Sequence, residues 1–390
     1  MLTGRDITVL GGGIAGLTAA IALTRRGARV TVLEQAEAIR EVGAGLQISP
    51  NGAAVLRALG LEEGLSRIGL RASAVSLRDY AAGREVLRMD LARAAGPYFF
   101  VHRADLVEML AGAARAAGVK LRLLQRIESA RVGAEGASLT TAQGAVINAG
   151  LLIGADGLHS VVRGALNGAD RPFFTGQVAW RALVPAAGEV SAEARVYMGP
   201  GRHIVCYPLR GGDLINLVAV QERDTWADEG WHHRDDPANL RAAFADFGPE
   251  VQALLARVDE VYLWGLFRHP VAPVWHRGAA AILGDAAHPT LPFLAQGANM
   301  ALEDAWVLAA ALASHDGVDE GLAAYQAARH DRCARIVEAA SRNARNYHLS
   351  FPPLRAAAHA ALRLGGRLAP DRMLGRFDWL YAHDVTRTHP

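Results

Sequence analysis

The segment "ITVLGGGIAGLTAAIALTRRGARVTVLE", residues 7–34, leaves the chain few ways to fold. Ile7–Leu10 is an apolar run of strand length, Leu17–Arg26 has helical periodicity, and Arg29–Leu33 reads as a second strand. Between the first strand and the helix, glycines stand at 11, 13 and 16, and Glu34 follows eighteen residues after Gly16. A βαβ unit needs each of them. The first glycine permits the tight turn, the second lets a pyrophosphate approach the backbone, and the third lets helix and strand pack closely. The helix N-terminus, reached through a turn that includes Ala15, favours an anion. Glu34 can accept hydrogen bonds from an unphosphorylated ribose. A glycine turn that only packed helix on strand would have no use for that acid. The class is therefore α/β, with a Rossmann-like nucleotide-binding domain.

The remaining pattern divides the 390 residues without a linker or an internal repeat. Residues 75–102 and 177–267 alternate as β-structure, with a hairpin at Arg210-Gly-Gly-Asp213, whereas Ala104–Ala117 is helical and the chain from Met300 onward is almost wholly so. We expect an interleaved architecture. Residues 1–74, 103–176 and 268–330 would form the nucleotide domain, 75–102 and 177–267 a β-sheet substrate domain, and 331–390 a C-terminal helical region. The 41 basic and 39 acidic residues nearly cancel, and no run of Lys or Arg invites nucleic acid. Two cysteines, Cys206 and Cys333, lie far apart and outside metal-ligand spacing, which suits a reducing cytoplasm. No apolar stretch reaches the roughly 18 residues of a membrane span, and the first strand begins too early for a signal peptide.

Two further glycine-acid motifs occur. "LLIGADGLHSVVR" (151–163) reads most simply as strand, turn and helix, with Asp156 as a cap. "LGDAAHPTLPFLAQGANMALEDA" (283–305) is a strand-to-helix crossing through Gly284, Asp285, Pro289 and Pro292, and such crossings hold ligands in α/β folds.

Taken together, the three motifs resemble the class A flavoprotein aromatic hydroxylases, the group of p-hydroxybenzoate hydroxylase and salicylate hydroxylase. The resemblance extends through "REVGAGLQISPNG", "HRADL", "VAWRALVP", "HIVCYPLRGG" and "FDWLYAHDV" and covers essentially the whole chain. It implies a glutathione-reductase-type FAD domain in which Gly11, Gly13, Ala15, Gly16 and Glu34 hold the ADP half of FAD. Arg103 would contact the cofactor, with Gln125 on its adenine side. Asp156 would serve FAD and NAD(P)H, and Gly284-Asp285 the ribityl and pyrophosphate region. Pro292 would lie against the flavin ring, while Gly297 and Ala298 offer backbone N–H groups to its pyrimidine edge. No second G-x-G-x-x-G is present, which fits transient docking of NADH or NADPH. The implied cycle reduces FAD, adds O2 to form a C4a-hydroperoxide, and delivers OH to an electron-rich ring. A halogenase or reductase on the same scaffold is the alternative, although "WRALVP" lacks the second tryptophan of the halogenase element. A non-catalytic flavoprotein sensor is the alternative outside enzymes.

Ring attack requires an activated phenol, and His203 and Tyr207 are the candidate bases. Four residues apart on a strand, they share one face. They resemble the His-x-x-x-Tyr pair of 3-hydroxybenzoate 6-hydroxylase and 6-hydroxynicotinate 3-monooxygenase. Gln47, with Pro292, belongs to the expected substrate pocket. It stands where the hydroxynicotinate enzymes carry histidine, which weakens that substrate assignment. Arg181 and Arg202 are candidates for a substrate carboxylate, though either alone reads as an ordinary strand arginine. His232-His233 with Asp235-Asp236 is a poor chelating loop, and we expect no metal. The mildly basic, amphipathic "LRAAAHAALRLGGRLAP" reads as a packed helix that permits a homodimer, not as a membrane contact.

Overall fold

The computed structural model describes residues 2–39, 44–169, 171–223 and 233–389. A six-stranded sheet has the order His276–Arg277, Ala280–Ile282, Leu152–Gly154, Asp6–Leu10, Arg29–Leu33, Lys120–Arg122. All neighbours are parallel except the His276–Arg277 edge. Its central strands are apolar because helices cover both faces of a parallel sheet. Ile7, Val9, Val30, Val32, Ile153 and Ile282 are all buried. Helix Ile14–Arg25 follows the first strand and buries every residue from Gly16 to Leu23.

Register decides what this sheet presents. Leu10 pairs with both Leu33 and Gly154, and Gly154 pairs with Ile282. The residues that follow these strand ends are Gly11, Glu34, Asp156 and Gly284-Asp285. Three motifs spread over 270 residues of sequence thus leave the sheet along one carboxyl edge, where open α/β sheets bind their ligands.

The second large sheet has eight strands, in the order Arg234–Asp235, Val261–Arg268, Phe173–Pro185, Leu214–Glu222, Arg202–Leu209, Glu193–Gly199, Ala74–Asp79, Glu85–Asp90. Only the Glu193–Gly199 and Ala74–Asp79 pair is parallel. The Arg210-Gly-Gly-Asp213 turn does join two antiparallel strands. Side-chain alternation gives this sheet two faces. Trp180, Ala182, Tyr197, Ile204, Cys206, Leu217 and Ala219 pack beneath Leu240, Phe244, Val251 and Leu255 of two short helices. Ala179, Arg181, His203, Val205, Tyr207, Val218 and Val220 share the other face.

A small antiparallel sheet, Gly45–Ile48, Phe99–His102 and Gly69–Arg71, lies in the chain between the two. The C-terminal part is helical, and helix Val318–Tyr347 runs unbroken through position 331. Its apolar periodicity continues from Leu322 to Ala344, so nothing ends it at that point. In helix Pro352–Leu368 the residues Leu354, Leu364 and Leu368 are exposed. Among the described residues, no helix is long and apolar enough to cross a membrane.

Candidate active site

The three glycines of the first motif have different surroundings. A Cβ on Gly11, at φ +108°, would collide with the Ala155 carbonyl, and one on Gly16 with the Gly11 carbonyl. Both are packing positions. A Cβ built on Gly13 meets no described atom within 4 Å, although it sits at the N-cap of helix Ile14–Arg25. That combination of open space, a bare backbone and a helix N-terminus fits a pyrophosphate. Glu34 accepts hydrogen bonds from the N–H groups of Gly12 (2.7 Å) and Ala36 (2.8 Å), and each oxygen retains a lone pair for a ribose hydroxyl. Gln125 lies beside it, donating its N–H to the Glu34 carbonyl at 2.8 Å.

The first and third motifs touch. Gly284 has φ +62°, and a Cβ there would come within 3.0 Å of the Ala15 methyl. Asp285 is exposed along this edge yet ringed by protein atoms, which raise its carboxyl pKa against the pull of His288 and Arg103. The N-cap of helix Val161–Asn167 is Ser160, which accepts from the Arg163 N–H; Asp156 instead braces this cap, accepting from Ser160 Oγ (2.5 Å) and from the Val161 N–H (2.8 Å). Its contacts are thus local to the segment. Arg163 then donates to the carbonyls of Pro270, Ala286 and Ala287, tying the second motif to the third.

Helix Gly297–Ser314 begins after Ala295, which takes the left-handed conformation at φ +52°, and its N-cap Gln296. No described side chain caps this helix, so the first-turn N–H groups of Gly297 and Ala298 have no acceptor within the helix. Its start is clamped from the side. Asn299 Nδ2 donates to the carbonyls of Gln47 and Ala295, while Ser49 N–H donates to Asn299 Oδ1. Gln296 Nε2 donates to Ser49 Oγ, and Asn51 Nδ2 donates to Gln296 and Glu303.

A buried ionic cluster beneath this helix was not anticipated. Asp304 accepts from the Gly284 N–H (3.0 Å) and from Arg329 Nε (2.8 Å), and lies 2.5 Å from His288 Nε2. Glu303 is paired with Arg329 (2.6 Å) and Arg332 (2.8 Å). Burial alone would raise the Glu303 carboxyl, but the two guanidinium groups overcome it and hold the acid at about 2. The cluster fixes the Gly284 turn from behind. Its sequence signal was the adjacent pair Glu303-Asp304 inside an otherwise apolar helix, with Arg329 and Arg332 three apart on the next. The atoms of His288, Asp304 and Cys333 approach within 4.8 Å of one another, but the Arg329 guanidinium already supplies the cation.

On the eight-stranded sheet, His203 and Tyr207 are both buried on one face. The Tyr207 ring packs 5.0 Å from Phe100, and a Cβ on Gly45 would come within 2.6 Å of its hydroxyl. Gln47 accepts from Tyr98 Oη at 2.7 Å and lies beside the Tyr207 phenol. Burial pushes the Tyr207 phenol up despite Arg181, which favours its protonated form. The Arg181 guanidinium stacks 4.5 Å from the Trp264 ring. Burial lowers it to about 10, with Tyr207 opposing and Arg103 assisting. His203 packs against Phe293 and Tyr347, at 5.4 and 5.2 Å, which brings the Pro292 turn onto this face.

Arg202 is excluded as a carboxylate receptor at this face. It follows the opposite parity from His203 and binds Asp246 at 2.7 Å. His232 lies outside the described residues. Asp235 accepts from Trp180 Nε1 and Asp236 caps helix Pro237–Ala243, so both acids have structural partners.

The FAD binding domain family matches residues 5–340. The chain is 35% identical over 397 residues to 3-amino-4-hydroxybenzoate 2-monooxygenase PtmB3 of Streptomyces platensis, spanning 97% of this chain and 96% of that one. It is 34% identical to 3-hydroxybenzoate 6-hydroxylase of Klebsiella oxytoca, over 87% and 88% of the two chains. Among solved structures, Klebsiella pneumoniae HpxO complexed with FAD and uric acid superposes with a TM-score of 0.84 at 27% identity. That match covers 96% of this chain and 97% of the other.

Proposed function

The chain belongs to the FAD-dependent aromatic hydroxylases, and from this we propose that it uses NAD(P)H and O2 to hydroxylate a small aromatic acid. The substrate class is a hydroxybenzoate, an aminohydroxybenzoate or a hydroxypyridine acid. One observation carries the reading: Arg181, Tyr207 and His203 share one face of the eight-stranded sheet, and Phe293 of the third glycine-acid motif packs against it. FAD would be held by Gly13, Ala15, Glu34, Arg103, Gln125 and Asp285, with Gly297 and Ala298 at its pyrimidine edge. When bound, it supplies hydride acceptance and O2 activation.

The chain's own residues do the rest. Arg181 receives the substrate carboxylate as a planar, two-pronged donor. Tyr207, kept neutral, donates its hydroxyl hydrogen bond, with Gln47 fixing its direction. A phenol of pKa about 10 costs roughly 4 kcal/mol to ionise at pH 7; the Arg181 charge on the same face offsets part of that cost, and His203 takes up the proton. Phe100, Phe293 and Tyr347 keep water away from the same space.

Anaerobic stopped-flow mixing with NADH or NADPH tests the proposal. The panel is 3-hydroxybenzoate, salicylate, 3-amino-4-hydroxybenzoate and 6-hydroxynicotinate. Bleaching of the flavin that one acid accelerates, with hydroxylated product once air is admitted, supports it. Bleaching that ignores every aromatic, with no hydroxylated product, refutes it.

A further inference from the structure

Behind the substrate face, His203 Nδ1 lies 2.7 Å from His348 Nε2, and His348 Nδ1 lies 2.7 Å from Glu222 Oε1. Three separate elements meet here. His203 is on strand Arg202–Leu209, Glu222 is the last residue of strand Leu214–Glu222, and His348 caps the C-terminus of helix Val318–Tyr347. Both imidazoles are buried, whereas the Glu222 side chain is 49% exposed. The line therefore runs from the interior to water.

Donor and acceptor chemistry fixes the direction of each bond. An ionised carboxylate only accepts, so His348 carries its hydrogen on Nδ1. A neutral imidazole has one N–H, so His348 Nε2 accepts and His203 Nδ1 donates to it. His203 Nε2 is then left with a lone pair, as a base requires. The neutral state of both rings has independent support. Burial, and then His348, holds His203 well below the usual histidine range, and burial lowers His348 against the pull of Glu222.

We propose that His203, His348 and Glu222 form a proton relay that carries the ionising proton of the bound phenol to solvent. The proposal rests on the aromatic-hydroxylase reading of this site. The phenol O–H bond breaks and its proton goes to His203 Nε2. The His203 Nδ1 proton passes to His348 Nε2, the His348 Nδ1 proton passes to Glu222, and Glu222 releases it to water. The substrate gains one negative charge and the solvent one proton. Both rings end in their opposite tautomers, and they reset when a proton returns to the product oxygen along the same line. Other titratable or charged neighbours are engaged elsewhere. Tyr347, beside His203, accepts from Asn343, Arg202 is bound to Asp246, and Arg223 stacks on Trp180. Glu222 and His348 are positioning residues, acting on substrate only through His203.

The test binds 3-hydroxybenzoate or 3-amino-4-hydroxybenzoate to FAD-loaded enzyme without NAD(P)H, in weak buffer containing phenol red. Phenolate absorbance and proton release are followed together by stopped flow. Wild type releases protons as the phenolate appears. Glu222→Gln and His348→Phe slow both signals by about a hundredfold, while FAD content and probe affinity are retained. Nitrogen-15 histidine spectra show the Nδ1–H tautomer of His203 in wild type and a mixture in E222Q. Should H348F lose probe binding, E222Q on the half-exposed residue decides. Wild-type rates of ionisation and release in E222Q overturn the relay and leave the hydroxylase reading standing. If wild type ionises neither probe, the reading of the site falls and the relay with it.

Discussion

Replacing Gly13 by alanine separates cofactor binding from folding. At φ −81° and ψ −170°, Gly13 occupies backbone space open to any residue, and its added Cβ meets no described atom within 4 Å. The apoprotein should therefore change by no more than about 1 kcal/mol, because the freedom lost from the unfolded chain offsets the poorer helix cap that alanine makes. Bound FAD meets a different surface, since the new methyl stands where a pyrophosphate oxygen approaches the backbone. Losing two hydrogen bonds to charged oxygen, at about 1.5–3 kcal/mol each, weakens FAD by about 3–6 kcal/mol. That is roughly a hundredfold to ten-thousandfold in Kd. Gly16→Ala is the contrasting control. Its Cβ would collide with the Gly11 carbonyl, so helix and turn must separate at a cost of about 3 kcal/mol. Thermal melts of FAD-stripped proteins and titration of FAD fluorescence quenching read the two effects. The pyrophosphate role of Gly13 fails if G13A binds FAD within about threefold of wild type, well inside the predicted loss. Its separation from folding fails if the G13A apoprotein melts as early as G16A.

Asp285→Ala should purify with little FAD and regain it only at raised FAD concentration; normal occupancy would remove Asp285 from the cofactor site. Tyr207→Phe should keep its FAD yet lose about 1 kcal/mol of substrate orientation, a several-fold fall in coupled hydroxylation, and an unchanged rate would cancel the role given to its hydroxyl. Glu303, held at about 2 against an ordinary 4.5, has a depressed folded-state pKa. Its contribution, of order 3 kcal/mol, is complete above about pH 4.5 and disappears as pH falls through 2. Urea unfolding between pH 5 and 2 should show that slope, and Glu303→Gln should flatten it. Arg329→Met, which removes the guanidinium shared by both acids and leaves Glu303 to Arg332 and Asp304 to His288, should cost about 3 kcal/mol at neutral pH, and a much smaller loss would show that the cluster is not the anchor of the Gly284 turn.

What could be read without coordinates was set by local backbone rules. Gly11, Gly16 and Glu34 carry their meaning because a tight turn, a helix contact and a strand end occur at fixed spacings. The common face of His203 and Tyr207 follows from the strand period alone. That same period already placed Arg202, adjacent to His203, on the opposite face, so its rejection was available from sequence parity. Arg181 was not decidable in that way. Its face depends on the register Arg181–Val218–Val205 across three strands, and no local pattern specifies register between strands so far apart in sequence. The same holds for charge. Glu303-Asp304 reads as a polar step on a helix until Arg329 and Arg332 are brought over it from the following helix, and His348 reads as a helix end until it meets His203. Helix propensity is indifferent to which residue faces these ends, whereas burial of an ion is not, because an uncompensated buried charge costs several kcal/mol. The groups proposed to hold the cofactor thus lie in contiguous motifs, while those proposed to set protonation come from segments far apart in the chain. Mutations of the first kind should therefore appear as lost FAD. Mutations of the second kind should appear as altered pH dependence with FAD still bound.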